Sequence, residues 1–159
     1  MKLPSHDGGD IPPCFSEEIT MDAPVPVVWE HLANPRSMSE WLGGEDYSVA
    51  VDTTWEVGSA MVVRGVHHLP FESRGVVLAF KPCQALSFTQ LSSLSRLPDQ
   101  PSSYTTLHFV LEAAGHQTIL RLKASGFPTS VIYKHLQFYW RVTLDVFKTC
   151  IEACHQAQA

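Results

Sequence analysis

The sequence predicts an α+β domain in which a curved, seven-stranded antiparallel sheet wraps around one long C-terminal helix, with two short helices after the first strand. Three observations carry this. The hydrophobic period lengthens from two residues to three or four just after residue 22. Between Tyr47 and Ser125 the chain returns to short apolar runs separated by Gly, Pro, Ser and Asp clusters, the punctuation of an antiparallel meander. The final segment, "SVIYKHLQFYWRVTLDVFKTCIEACHQ", then repeats Leu136, Trp140, Leu144, Phe147, Ile151 and Cys154 every three or four residues.

Each element follows in turn. Residues 1–13 contain adjacent prolines and Gly-Gly-Asp with few apolar side chains, and read as a loose tail before a single domain over 14–156. "CFSEEITM" alternates Phe15, Glu17, Ile19 and Met21 against polar neighbours, with Glu17 the misfit, and gives the first strand. Val25, Val28, Trp29 and Leu32 form the stripe of a short helix whose prolines stand only at its start. Asn34 caps a second helix, Pro35 opens it, Met38, Trp41 and Leu42 face inward, and Gly43-Gly44 ends it. Six further strands are expected at 47–52, 60–68, 71–80, 85–90, 104–113 and 117–125, with Gly115 taking positive φ in the tight turn "EAAGHQT". Along the last two strands Leu107, Phe109, Leu111, Leu120 and Leu122 share one dry face, and the terminal helix must lie on a surface of that kind. Lys134, Arg141, Asp145, Lys148 and Glu152 fall on its other side, with i,i+4 pairs at 141/145 and 148/152.

Composition bounds the function classes. The 159 residues, 45% hydrophobic with net charge −5, describe one domain with a sizeable core and no basic footprint for nucleic acid or an anionic membrane. No apolar stretch approaches the roughly 20 residues of a membrane span, so membrane insertion is not expected, and the N-terminal residues lack the apolar segment of a secretory signal. Cys14, Cys83, Cys150 and Cys154 have neither CxxC spacing nor disulfide density, and read as buried thiols of a cytoplasmic protein. A homodimer stays open.

The series "APVPVVWEHLANPRSMSEWLGG", "WEVGSAMVVRG", "GVVLAFKPCQALSFT", "LEAAGHQTILRLKASGF" and "YWRVTLDVFKTCIE" resembles the activator-of-heat-shock-ATPase-homologue-like branch of the START-related SRPBCC superfamily over residues 15–154. The resemblance implies the helix-grip fold, with a cavity between sheet and C-terminal helix. It implies no single activity, because this fold hosts carriers, cyclases, resistance proteins and co-chaperone domains.

The expected cavity supplies the candidate residues. Its sheet side would present Met61, Val63, His67, Val77, Phe88, Gln90, Phe109 and Leu122; its helix side Leu136, Trp140 and Leu144. Phe127, Tyr133, Phe138, Tyr139 and Trp140 would crowd its rim at the start of the terminal helix, with Trp41 approaching them, where rigid rings either grip a flat or lipid-like molecule or simply pack the core. Ser73, Gly75, Val77 and Ala79 alternate as small residues that leave volume if they point inward, while Gly75 alternatively marks a bulge. In residues 91–103, Leu91, Leu94 and Leu97 suggest a helical turn lying over the cavity mouth, with a mobile Ser/Pro loop without function as the equal alternative. His67 has a side chain suited to acid or base work near neutrality, and Glu72 across the turn is the candidate to orient it. Adjacent His67 and His68 point to opposite faces of a strand, so no metal site is expected, nor any cofactor.

Three functions follow: binding of a small hydrophobic or aromatic molecule, a cyclase- or hydratase-type reaction on a polyketide-like or other carbonyl substrate in the same cavity, and regulation of a heat-shock ATPase. The last is implied only by the resemblance, and the co-chaperone it names carries an N-terminal domain that a thirteen-residue tail does not replace.

Overall fold

A computed structural model describes residues 11–43, 48–67 and 69–157. Seven strands form one antiparallel sheet in the order β1-β7-β6-β5-β4-β3-β2, with β1 Cys14–Met21, β2 Ser48–Thr53, β3 Ala60–His67, β4 Leu69–Lys81, β5 Ala85–Ser92, β6 Thr105–Ala114 and β7 Gln117–Ser125. Helices α1 (Val25–Ala33) and α2 (Pro35–Gly43) follow β1, and α3 (Ser130–Ala157) closes the chain. This is the expected helix-grip architecture. Tyr47 and Gly44, placed by the sequence in a strand and at a helix end, lie outside the described residues, as does His68.

The dry face is where the alternation put it. Leu107, Phe109, Leu111, Leu120 and Leu122 are buried and paired across β6 and β7, and Gly115 turns between them at φ 64°. Against them lie Leu136, Trp140, Leu144, Phe147 and Ile151 of α3. Cys154, expected to continue that stripe, is exposed, as is Cys83, which stands in a turn at φ 62°; Cys14 and Cys150 are half-buried. The thiols are therefore not core residues. The half-buried Cys150 thiol is pushed up, first by burial and then by the neighbouring Cys154.

Helix α3 is tied to β1 by polar contacts that the helical wheel alone does not predict. Lys148 Nζ donates to the Thr20 carbonyl at 2.7 Å and pairs with Glu152, which accepts from the Asp22 N–H at 2.9 Å. Arg141 pairs with Glu17 at 3.4 Å rather than with Asp145. The misfit of β1 is thus a side chain at the sheet edge, answered from the helix.

Two corrections concern β4. Its pairing with β5 slips between Val77 and Ala79, so one extra residue enters β4 and the facing of the strand inverts. Ala79 consequently leaves the inward row, and Phe80 takes its place, in contact with Trp29 and Trp55. Gly75 leaves no volume either. A Cβ there would stand 1.8 Å from the Thr89 carbonyl oxygen, so glycine permits the two strands to touch.

Candidate functional site

Eight rings run in contact through the interior. Trp29 meets Phe80 at 5.4 Å, Phe80 stacks on Trp55 at 5.2 Å, and Trp55 approaches Phe88 at 6.1 Å. Phe88 stacks on Phe109 at 6.1 Å, Phe109 meets Trp140 edge-on at 5.5 Å, and Trp41 bridges Trp140 to Phe147 at 6.3 and 4.8 Å. Of the expected cavity residues, Trp41, Met61, Val77, Phe88, Phe109, Leu122, Leu136, Trp140 and Leu144 are all buried, and the run of rings passes among them. Trp41 is only 2% exposed, so it is a core residue and not part of a rim.

The indoles explain why tryptophans stand where they do. Trp41 Nε1 donates to the His31 carbonyl at 2.9 Å and Trp55 Nε1 to the Ala33 carbonyl at 2.6 Å, both in the last turn of α1. Those carbonyls have no partner within their own helix, so two buried rings cap it. Trp55 holds its position with φ 60°, a left-handed conformation that disfavours so large a residue. Its position outside any helix or strand hid it from the sequence pattern. Trp140 differs from both: its indole N–H is buried without an acceptor among the described residues.

The packing loosens at one end. Along the inward rows, buried Met61 gives way to half-buried Val63, buried Val77 to Ser73, and buried Phe88 to Gln90 and Ser92. The β3–β4 turn, the end of β5 and the start of α3 all lie at this end by topology. Half-buried Tyr133 and Phe127 stand here with Phe15, their rings 5.0 to 6.0 Å apart. Tyr139 is half-buried and donates to the Leu42 carbonyl at 3.0 Å. The mouth of the grip therefore combines apolar rings with the Gln90 amide and the hydroxyls of Ser73, Ser92, Tyr133 and Tyr139, and the unpaired Trp140 donor stands next to Tyr139 on α3.

The family model for activator of Hsp90 ATPase homolog 1-like proteins matches residues 22–152. The chain belongs to this family. Solved structures with the same fold as this AHSA1-like chain include protein CV1439 from Chromobacterium violaceum, 17% identical with a TM-score of 0.77 over 89% of this chain and 98% of that one. ChR145 from Cytophaga hutchinsonii is 26% identical with a TM-score of 0.72, covering 94% and 99%. A structure described as the Aha1 dimer from Colwellia psychrerythraea is 19% identical with a TM-score of 0.69, covering 87% and 96%. No curated protein matches the chain in sequence. Among the described residues no helix is long and apolar enough to cross a membrane.

In this AHSA1-like chain Glu72, the residue expected to orient His67, has its own partners. Glu72 stands opposite Arg64 in the β3–β4 ladder, on the outer face, whereas His67 pairs with Leu69; the His67 side chain lies outside the described residues. Arg74 donates to Glu72 at 2.6 Å and Arg64 at 3.4 Å, and Glu72 is held below the ordinary carboxylate range chiefly by the Arg74 hydrogen bond. The Glu72 carboxylate is thus engaged with two guanidiniums on the far side of the sheet from α3.

Segment 93–104 is also displaced from expectation. Instead of one helical turn over the mouth it makes two 3₁₀ turns, Ser93–Ser95 and Pro101–Ser103, and continues across the outer face. There Asp99, Gln100, Pro101 and Tyr104 wall a groove of about 640 Å³ floored by Ala60, Val62, Arg74, Val76 and Thr89. Tyr104 donates to Asp99 at 2.7 Å, and Ser93 accepts from the Glu72 backbone N–H at 3.0 Å. This segment is a wall on the opposite side of the sheet from α3.

Proposed function

We propose that this AHSA1-like protein binds a small, flat hydrophobic molecule at the loosened end of the grip, among Val63, Gln90, Phe127, Tyr133 and Leu136. The observation that carries the reading is the Trp140 indole: a buried donor left unpaired costs about 1–3 kcal/mol. An acceptor on an entering ligand, a carbonyl or ether oxygen, would recover much of that loss while its apolar body covers the half-buried rings. Binding is therefore driven by apolar burial, about 25 cal/mol per Å², and oriented by one hydrogen bond. His67 ends the neighbouring strand and is proposed as a further polar contact. Four free cysteines fit action in the reducing cytoplasm. We extend the reading to a homodimer, since a neighbour of the same fold is described as one.

The test uses 1-anilinonaphthalene-8-sulfonate, an aromatic anion with a flat naphthalene body and acceptor oxygens, titrated into the native protein and into Trp140→Phe. The variant keeps an aromatic ring but removes the donor. It should bind the probe about tenfold more weakly, the value of one buried hydrogen bond, while its melting temperature in the free state stays level or rises. Unchanged affinity in a stably folded Trp140→Phe would overturn this placement.

A further inference from the structure

We infer that the outer face of α3 is a self-complementary dimer interface, on which two copies pack antiparallel through Val131, Phe138 and Val142. This rests on the dimer part of the proposed function and assigns it a surface. Val131 is 70% exposed, Phe138 69% and Val142 47%, although each is a large apolar side chain. At 100° per residue the three fall within about 40° of one another around the helix, so they form one stripe and not scattered exposures. The other side of α3 is fully occupied by Leu136, Trp140, Leu144, Phe147 and Ile151. Nothing in that packing needs a phenylalanine at 138. Thr149 continues the stripe, which is then about 27 Å long.

Charge selects the occupant and the orientation. Lys134 and Asp145 flank the same edge of the stripe, and neither has an ion-pair partner among the described residues, whereas neighbouring Arg141 is engaged by Glu17. In a parallel twofold pairing the two charged edges would lie on opposite sides of the seam, so Lys134 would not meet the partner's Asp145. In an antiparallel pairing centred near Trp140, Lys134 lies beside the partner's Asp145, Phe138 beside the partner's Val142, and Val131 beside the partner's Thr149. The twofold axis makes each contact twice. The stripe carries an apolar seam and both halves of its charge pattern, so a second copy of this chain satisfies it without a foreign partner. A single helix face is smaller than the roughly 800 Å² per partner of a standard interface, which puts the dimer in the weak, concentration-dependent class.

Sedimentation velocity on the full chain from about 5 to 500 μM tests this. The native protein should shift from monomer to dimer across the range. Phe138→Glu should remain monomeric with an unchanged melting temperature, because the side chain is exposed. Lys134→Glu should weaken the dimer about tenfold, and Lys134→Glu combined with Asp145→Lys should restore it, since the pair is only exchanged. A native protein that stays monomeric overturns the inference. A dimer that survives Phe138→Glu removes it from this face, and failure of the double exchange to restore association removes the antiparallel register. Probe binding at the mouth of the grip should be equal in native protein and Phe138→Glu, so failure of the ligand reading is read separately from failure of the dimer.

Discussion

The two faces of β3, β4 and β5 are built from alternate residues of the same strands, yet they are held by different physics. Inward, Met61, Val77, Phe80 and Phe88 join a continuous run of rings in which the polar atoms are indole N–H groups. Outward, Arg64, Glu72 and Arg74 form an exposed ion cluster beside a groove walled by residues 99–104. Burial and shape govern the first, and salt and pH act on the second. A residue one step out of register changes from one regime to the other. Glu72, opposite Arg64 in the ladder, belongs to the outer regime.

The largest effect should come from the inner face. Trp41→Ala removes a ring packed between Trp140 and Phe147 and uncaps the His31 carbonyl of α1. It should destabilise the protein by about 3–5 kcal/mol, as large aromatic truncations in cores do, visible as a fall in the denaturant midpoint. Tyr133→Ala, half-buried at the mouth, should lose about 1 kcal/mol or less while weakening the anilinonaphthalene probe. Equal losses of stability in the two variants would erase the distinction between packed core and open end. Gly75→Ala falls between them, because a methyl group 1.8 Å from the Thr89 carbonyl must push β4 from β5. A loss of about 2–3 kcal/mol is expected, the range for overpacking against rigid backbone; an unaffected melting temperature would mean that the strands part easily.

The same comparison accounts for what the sequence makes legible. Periodicity is local, so β6, β7 and α3, with Leu107, Phe109, Leu122, Trp140 and Phe147, can be assigned to one core from spacing alone. The extra residue near Leu78 is invisible to periodicity, because only cross-strand pairing reveals it, and it exchanges Ala79 for Phe80 on the inner face. The capping indoles depend on contacts 10 and 22 residues away, beyond any local pattern. The candidate site was legible as an aromatic-lined end of the grip. Which of its rings are half-exposed and which are core was not, since both kinds have the same residue types and spacing. Segment 93–104 shows a further limit: a leucine repeat can suggest a turn but carries no information about which side of a sheet the turn covers.

The smallest effect separates the faces by pH. Glu72 is held below the usual carboxylate range, so its contribution is present above the unfolded-state value near about 4.3 and is lost as pH falls through the lowered folded value. Tyr104 is shifted the other way, above the usual phenol range, mainly because its hydroxyl donates to Asp99, with burial adding to the shift. Its contribution is complete below about 10 and disappears as pH rises through the raised folded value. Both groups stand on the outer face, so the hydrogen-exchange protection factors of residues 93–104, which discount the base-catalysed intrinsic rate, should fall at the alkaline limit while those of β6 and β7 hold. Tyr104→Phe should show the lower protection already at neutral pH and no further alkaline fall in it. An alkaline change that instead spread equally to β6 and β7 would mean that the groove wall and the ring-filled interior are one cooperative unit.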